Sequence, residues 1–308
     1  MAKIVFMGTP DFAVPILKTL IKTQTVVGVV TQPDRPAGRG RRLQPPPVKE
    51  VAEAADILVY QPRSLRKEEA ADPIRAWEPE MIVVAAFGQI LRPHLLELPS
   101  KGCLNVHASL LPRWRGASPI HHAILSGDGE TGITLMRMDE GLDTGPMYVQ
   151  EAIPIRPNET AESLHDRLAQ LGAKMIREHL DRILSGGITA VPQPEDGSTY
   201  APMIKKEEGQ IDWQRSAAEI DRLIRAMTPW PGAFTTWNGQ NLKVLAARPQ
   251  LTGSSGDPGL VVAEGDGAAV ITGDGRLALE SVQLAGKTPT LVDDFLRGHP
   301  DFVGSRLG

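Results

Sequence analysis

The opening stretch of the chain narrows the fold more than any other part. Residues 3–7 (KIVFM) form a short apolar run ended by Gly8-Thr9-Pro10, the pattern of a buried strand. The following DFAVPILKTLIK sets Phe12, Ile16, Leu17 and Leu20 at helical spacing, with Asp11 placed to cap the helix. Residues 26–31 (VVGVVT) return to a β-branched run. Strand, helix and strand in so short a span make a βαβ unit, whose strands pair in parallel. A parallel sheet with helices on its faces is therefore the expected first body. The turn after the first strand keeps only Gly8 of the glycines that a dinucleotide fingerprint needs, so a bound dinucleotide is not expected.

The same alternation continues. VKEVAEAA reads as helix, ILVYQP as strand, and RKEEAADPIRAW as a helix interrupted near Pro73. MIVVAAFGQIL (81–91) is a strongly apolar strand ending near Phe87-Gly88. Ligands of open parallel sheets sit beyond the carboxyl ends of the strands, so this end is a candidate pocket wall. Residues 160–184 carry Leu164, Leu168, Leu171, Met175, Leu180 and Ile183 at helical spacing, and Ser185-Gly186-Gly187 stops that helix. The expected domains are 1–189, a Pro- and Gly-rich linker at 190–208, and 209–308. The last segment opens with a short helix (SAAEIDRLIRAM). It continues with five short β runs, AFTTW, LKVLAA, GLVVAE, AAVIT and LALESVQL, the pattern of a small barrel.

Charge restricts the partners. The 308 residues carry a formal net charge of −4, so a generic nucleic-acid binder is excluded and any polyanion contact must be local. The local feature is the loop after the second strand. Arg35, Arg39, Arg41, Arg42 and Lys49 stand against the single acid Asp34 there, and its Pro and Gly content rules out a helix or central strand over most of it. It reads as a basic arm for a phosphate-rich partner. Over 209–308 the balance is 9 basic to 11 acidic residues, weak for such a partner unless one face is basic; Arg222, Arg225, Lys243 and Arg248 are the candidates. One cysteine, Cys103, permits no intrachain disulfide and fits a reducing compartment. No apolar run approaches the ~20 residues of a membrane helix, so a cytoplasmic chain without membrane contact is expected.

Residues 102–147 concentrate the chemistry. In CLNVHASLLP, alternation puts Cys103, Asn105 and His107 on one strand face and Leu104 and Val106 on the other. An amide and an imidazole on a strand buried on both faces need partners, because an unpartnered buried polar group costs about 1–3 kcal/mol. Two donors side by side suit a developing oxyanion. The Gly-flanked loop 139–145 offers Asp139 and Asp143 as partners for the imidazole, and spacing does not choose between them. A Cys103–His107 nucleophile is the rival, disfavoured because Cys103 stands at a strand start rather than at a turn. His121-His122 lack the H-E-x-x-H pattern, so no zinc site is expected.

N-V-H-A-S-L-L-P-R-W-R-G-A-S-P-I (105–120) together with G-L-D-T-G (141–145) resembles the formyltetrahydrofolate-dependent formyltransferases. M-G-T-P-D-F-A (7–13), T-Q-P-D-R-P-A-G-R-G (31–40) and P-W-P-G (229–232) point within that family to the members that act on methionyl-tRNA. The resemblance implies an α/β fold: a Rossmann-like, mostly parallel catalytic domain and an OB-like C-terminal β-barrel that helps hold tRNA. It implies Asn105, His107 and Asp143 as catalytic residues. It implies Ser109, Leu110, Leu111 and Pro112 as folate-binding, with Phe87, Gly88, Gln89, Ile90, Leu91 and Asp139 around the pterin. Initiator methionyl-tRNA would meet Arg35, Arg39, Arg41, Arg42, Lys205 and Lys206. The donor would be 10-formyltetrahydrofolate, attacked directly by the methionine amine, with no metal and a monomeric enzyme. A sugar-nucleotide formyltransferase using the same donor is the alternative.

Overall fold

The computed structural model describes residues 1–37, 42–250 and 256–308. In chain order the elements begin β1 (Lys3–Gly8), α1 (Ala13–Thr23), β2 (Thr25–Val30), β3 (Arg35–Ala37), β4 (Arg42–Gln44), α2 (Pro47–Glu53) and β5 (Val59–Tyr60). They continue α3 (Asp72–Ala76), β6 (Met81–Ala85), α4 (Pro93–Leu96), β7 (Cys103–His107), β8 (Arg115–Gly116) and α5 (Pro119–Ser126). Then come β9 (Glu130–Arg137), β10 (Met147–Pro154), α6 (Ala161–Leu184) and β11 (Tyr200–Ala201). The chain ends with α7 (Ala217–Met227), β12 (Ala233–Trp237), β13 (Gln240–Gln250), β14 (Val261–Glu264), β15 (Gly267–Ile271), β16 (Arg276–Leu284), β17 (Thr290–Leu291) and α8 (Val292–Gly298).

Two units result. The first holds Met1–Pro119, Glu130–Pro154 and His165–Pro202; the second holds Ile120–Gly129, Ile155–Leu164 and Met203–Gly308. Residues 190–202, expected as linker, belong to the first unit. Their polar backbone is paired there: Val191 bridges Met147, and Tyr200 pairs with Arg115.

The first unit is built on a seven-stranded sheet in the order β10-β9-β7-β6-β1-β2-β5. β1 pairs in parallel with β2 and β6, and β7 pairs in parallel with β6. β9 and β10 add an antiparallel edge. Every residue of β6 and β7 is buried, as expected of strands covered on both faces. β6 is shorter than its apolar run, because the chain turns at Ala86 (φ 45°) and Gly88 (φ 81°). α1 buries Ala13, Ile16, Leu17 and Leu20 at the expected spacing, but Asp11 does not cap it; no side chain does. RKEEAADPIRAW divides into a 3-10 turn, Glu68–Ala71, and α3. Pro73 lies in the first turn of α3, where its missing N–H leaves no bond unmade. β10 carried no expectation from the sequence; its alternating exposure is that of an edge strand.

α6 packs on the back of the sheet through Gly172. A Cβ there would lie 3.0 Å from Val106 Cγ1 and 3.3 Å from Ile16 Cδ1, so the missing side chain sets how closely the helix approaches β7 and α1. In the second unit the strands form an antiparallel sheet in the order β12-β13-β16-β15-β14, with β17 on β16. Trp213, Trp237, Phe295 and Phe302 sit in its core, the last three in edge-to-face contact. α8, which supplies Phe295, is only seven residues long, too short for its periodicity to stand out in the sequence. Among the described residues no helix is long and apolar enough to cross a membrane.

Gly172→Leu would overpack the α6–β7 contact and lower stability by about 1–3 kcal/mol. Thermal unfolding followed by circular dichroism checks this, and an unchanged midpoint would refute the packing argument.

Candidate active site

β7 sits at the switch in the sheet, with parallel β6 on one side and antiparallel β9 on the other. Asn105 lies opposite Val84 and Met136, and His107 opposite Thr134. Both side chains are nearly closed to solvent, 9% and 6% exposed. They share one partner from the Gly-flanked loop. Asn105 Nδ2 donates to Asp143 Oδ1 at 3.2 Å, and His107 Nδ1 lies 3.7 Å from Asp143 Oδ2. The backbone N–H of Gly116 donates to the same Oδ2 at 2.9 Å. Of the two acids that spacing left open, the structure therefore brings Asp143 to the pair. Asp139 stays exposed and organises the loop, accepting from Gly141 N–H and Thr144 Oγ1.

The hydrogen bonds also orient the rings and amides. A carboxylate only accepts, so the Asn105 amide nitrogen must face Asp143, and it carries a second N–H beyond that bond. His107 Nε2 lies 2.9 Å from the Trp114 carbonyl oxygen, which also only accepts, so Nε2 holds a proton. The expectation that His107 and Asn105 both aim a spare donor at one oxyanion thus meets a constraint. In this geometry the Nε2–H of His107 is engaged by Trp114.

Asp143 is held by its backbone as well as its carboxylate. Its φ is +53°, a left-handed conformation that Asp tolerates better than most residues. Gly145 lets the loop close onto β9, since a Cβ there would overlap the Arg137 carbonyl oxygen. Gln193 Nε2 donates to the carbonyls of Asp143 (2.7 Å) and Gly145 (2.8 Å). Arg115 in turn donates to Gln193 Oε1 from Nε (3.0 Å) and Nη2 (2.7 Å). Thr199 accepts from Trp114 N–H through Oγ1 at 2.9 Å, and from Arg115 N–H through its carbonyl. Gly116, Trp114, Gln193 and Thr199 were not foreseen as site residues. Gln193 stands 50 positions from Asp143, in a Pro-rich stretch with no periodicity to mark it.

The residues implied for the folate pocket divide by role. Ser109 is fully buried, and its Oγ donates to the Arg113 carbonyl at 2.6 Å. Thr134 Oγ1 donates to the Ser109 carbonyl and accepts from Leu111 N–H, and Gln150 Nε2 donates to the Leu111 carbonyl. Leu110 borders Gly132, and Pro112 follows a cis peptide bond. Phe87 and Leu91 are core residues, and the Phe87 carbonyl accepts from Thr9 Oγ1 and Gln32 Nε2. Gln89 is turned to the backbone of Pro62 and Leu65. Gly88 is exposed, and Ile90 and Leu142 present open apolar surface at 66% and 51% exposure.

The described basic residues differ in what they meet. Arg39 and Arg41 lie outside the described residues. Arg35 is exposed on the β3–β4 hairpin, and Arg42 is a backbone member of β4. Lys49 is withdrawn from the arm by Asp34 at 2.9 Å. The Asp34 carboxyl is held below its ordinary value, first by the Gln61 hydrogen bond and then by Lys49. In the second unit Lys205 and Lys206 are exposed around a 3-10 turn. Arg222 donates to the Leu125 carbonyl, Arg225 to Asp221 and the Glu159 carbonyl, and Lys243 to the Pro231 carbonyl. Those three tie the fold together.

Residues 2–180 match the formyl transferase family model, and 203–300 match the model of the formyl transferase C-terminal domain. The methionyl-tRNA formyltransferase of Marinobacter nauticus is 51% identical over 298 residues, 96% of each chain. That of Geobacter sulfurreducens is 49% identical over 308 residues, covering 99% of this chain and 96% of its own. The chain belongs to the methionyl-tRNA formyltransferase family. Among solved structures, an N-formyltransferase from Helicobacter canadensis in complex with folinic acid and dTDP-3-aminofucose superposes with a TM-score of 0.68 at 21% identity, covering 91% of this chain and 99% of its own. HypX from Aquifex aeolicus in complex with tetrahydrofolic acid superposes at 0.63 and 18% identity, over 98% of this chain and 48% of its own. At these identities the likeness is one of fold. For this family member the fold agrees with the expectation from the sequence motifs, and Asn105, His107 and Asp143 lie together in it.

The rival nucleophile fails on environment. Cys103 is 2% exposed, its Sγ faces the Leu95 carbonyl at 3.5 Å, and burial pushes its thiol up to about 12. A thiol with a raised pKa stays protonated and unreactive at neutral pH. Folded protein at pH 8 should therefore react with a chromogenic disulfide at least ~100-fold more slowly than unfolded protein. Cys103→Ser should keep most of its formyl-transfer activity. Fast labelling of the folded chain, or an inactive but folded Ser variant, would reverse this reading.

Proposed function

We propose that this chain transfers the formyl group of 10-formyltetrahydrofolate to the α-amino group of methionine on initiator methionyl-tRNA. The observation that carries the proposal is the Asn105–Asp143–His107 cluster. It lies in a chain about half identical, along nearly its whole length, to methionyl-tRNA formyltransferases. The first unit supplies the chemistry. Arg35 of β3, Arg42 of β4, Arg39 and Arg41 from the sequence between them, and Lys205 and Lys206 of the second unit hold tRNA phosphates.

The neutral amine attacks the formyl carbon, a C–N bond forms, and negative charge develops on the formyl oxygen. The second N–H of Asn105 donates to that oxygen. Asp143, within reach of His107, accepts the proton released by the attacking nitrogen. As the C–N10 bond breaks, that proton passes to folate N10, leaving formyl-methionyl-tRNA and tetrahydrofolate. Each proton removed is returned, so the step is balanced without metal or covalent enzyme intermediate. Ser109–Pro112, whose backbone Thr134 and Gln150 hold rigid, face the folate. Ile90, Leu142 and the 139–143 loop wall the pterin. The enzyme works as a monomer in the cytoplasm.

Asn105→Ala and Asp143→Ala should each lower turnover by about 100-fold or more while the circular dichroism spectrum stays native. A folded variant with near wild-type turnover would sink the catalytic assignment. The acceptor is tested separately by comparing charged initiator tRNA with a dTDP-amino sugar in the same assay. The tRNA reading predicts turnover only with the former. It also predicts that Arg41→Ala with Arg42→Ala weakens tRNA binding and flattens its salt dependence by about two counterions. Turnover of the sugar nucleotide alone would transfer the chain to the alternative acceptor class.

A further inference from the structure

Asp143 has three demands on its position: Asn105, His107 and the Gly116 N–H must all meet one carboxylate. It meets them from a left-handed backbone, φ +53°. A non-glycine residue held there persists only where its surroundings fix it. The carboxylate contacts do not hold the peptide plane that follows Asp143. That plane is gripped by Gln193, whose Nε2 reaches the carbonyl oxygens of Asp143 and Gly145 at 2.7 and 2.8 Å. The orientation of Gln193 is unambiguous: carbonyls only accept and guanidinium only donates, so Nε2 faces the loop and Oε1 faces Arg115.

The grip also closes on itself. Arg115 adjoins Gly116, whose N–H binds the Asp143 carboxylate. The Arg115 side chain reaches back through Gln193 to the Asp143 carbonyl. The 115–116 segment therefore holds Asp143 at both ends, by carboxylate and by backbone. The strap that brings Gln193 there is fastened by the Thr199 bonds to Trp114 and Arg115 and by the Val191–Met147 bridge.

We infer that Gln193, backed by Arg115, is a positioning residue for Asp143: it acts on turnover by fixing the Asp143 backbone and touches neither substrate. The inference rests on the proposed role of Asp143 in formyl transfer. Gln193→Ala should lower kcat at least ~10-fold, with KM for folate and for methionyl-tRNA changed less than ~3-fold. Gln193→Glu keeps the Arg115 contact but turns an acceptor toward two carbonyls, and should lose as much. In an Asp143→Asn background Gln193→Ala should remove little more, because residues that act as one unit are not additive. Should Gln193→Ala fold poorly, Arg115→Met loosens the same amide from its other side and should also lower kcat rather than raise KM.

Full kcat in Gln193→Glu, or losses from Gln193→Ala and Asp143→Asn that multiply, would overturn the inference. A crystal structure of Gln193→Ala gives an answer independent of activity. The inference expects Asp143 to leave its left-handed conformation, and an unmoved loop counts against it. Wild-type turnover with methionyl-tRNA, measured alongside, tests the proposed function itself, so the two failures are distinguishable.

Discussion

A single carboxylate, that of Asp143, receives a side-chain amide, a backbone N–H and the approach of an imidazole nitrogen, in a pocket that leaves only 13% of its side chain exposed. A buried charge of this kind persists only when it is surrounded by donors. Asn105 and His107 come from β7 and the backbone N–H from Gly116 of β8, while Gln193 of the 190–202 strap donates to the Asp143 carbonyl. Removing water raises the worth of every hydrogen bond in the cluster and raises the penalty for misplacing one. The loop 139–145 is therefore a point where the first unit converges.

The sheet makes that convergence possible. β7 lies where parallel pairing gives way to the antiparallel edge. Its front face is consequently read against β9 and the loop that follows it, while Val106 on its back face packs toward Gly172 of α6. The antiparallel register sets the end of β9 beside the amino end of β7, and the loop that leaves there carries Asp143 to Asn105. The Ser109–Pro112 turn then continues directly from His107, so the Asn105–His107 pair and the turn proposed to face the folate share one stretch of backbone.

Charge is distributed more economically than the sequence suggests. Lys49 is neutralised by Asp34, and Arg222, Arg225 and Lys243 donate to carbonyls or carboxylates within their own unit. Among the described residues proposed to meet a polyanion, Arg35, Lys205 and Lys206 are exposed. A small set of exposed charges gives affinity that salt can tune, which suits a substrate that must leave after one turnover.

The βαβ opening was legible because apolar periods of 2 and 3.6 are local properties, visible wherever a segment is long enough to show them. β1, α1, β6, α6, α7 and the strands β12 to β16 all came through in this way. So did the pairing of Asn105 with His107 on one strand face. The motifs 105–120 and 141–145 carried the family. Spacing left Asp143 and Asp139 equal, and only the 141–145 motif favoured Asp143. What no local pattern could show was the pairing of residues 190–202 with the first unit, or the engagement of His107 by the Trp114 carbonyl. Gln193 and Asp143 stand 50 residues apart, and their bond exists only because β10, α6 and the strap return the chain to the loop. Spacing reports which side chains share a face; only the tertiary structure decides which distant backbone carbonyl or carboxylate each one meets.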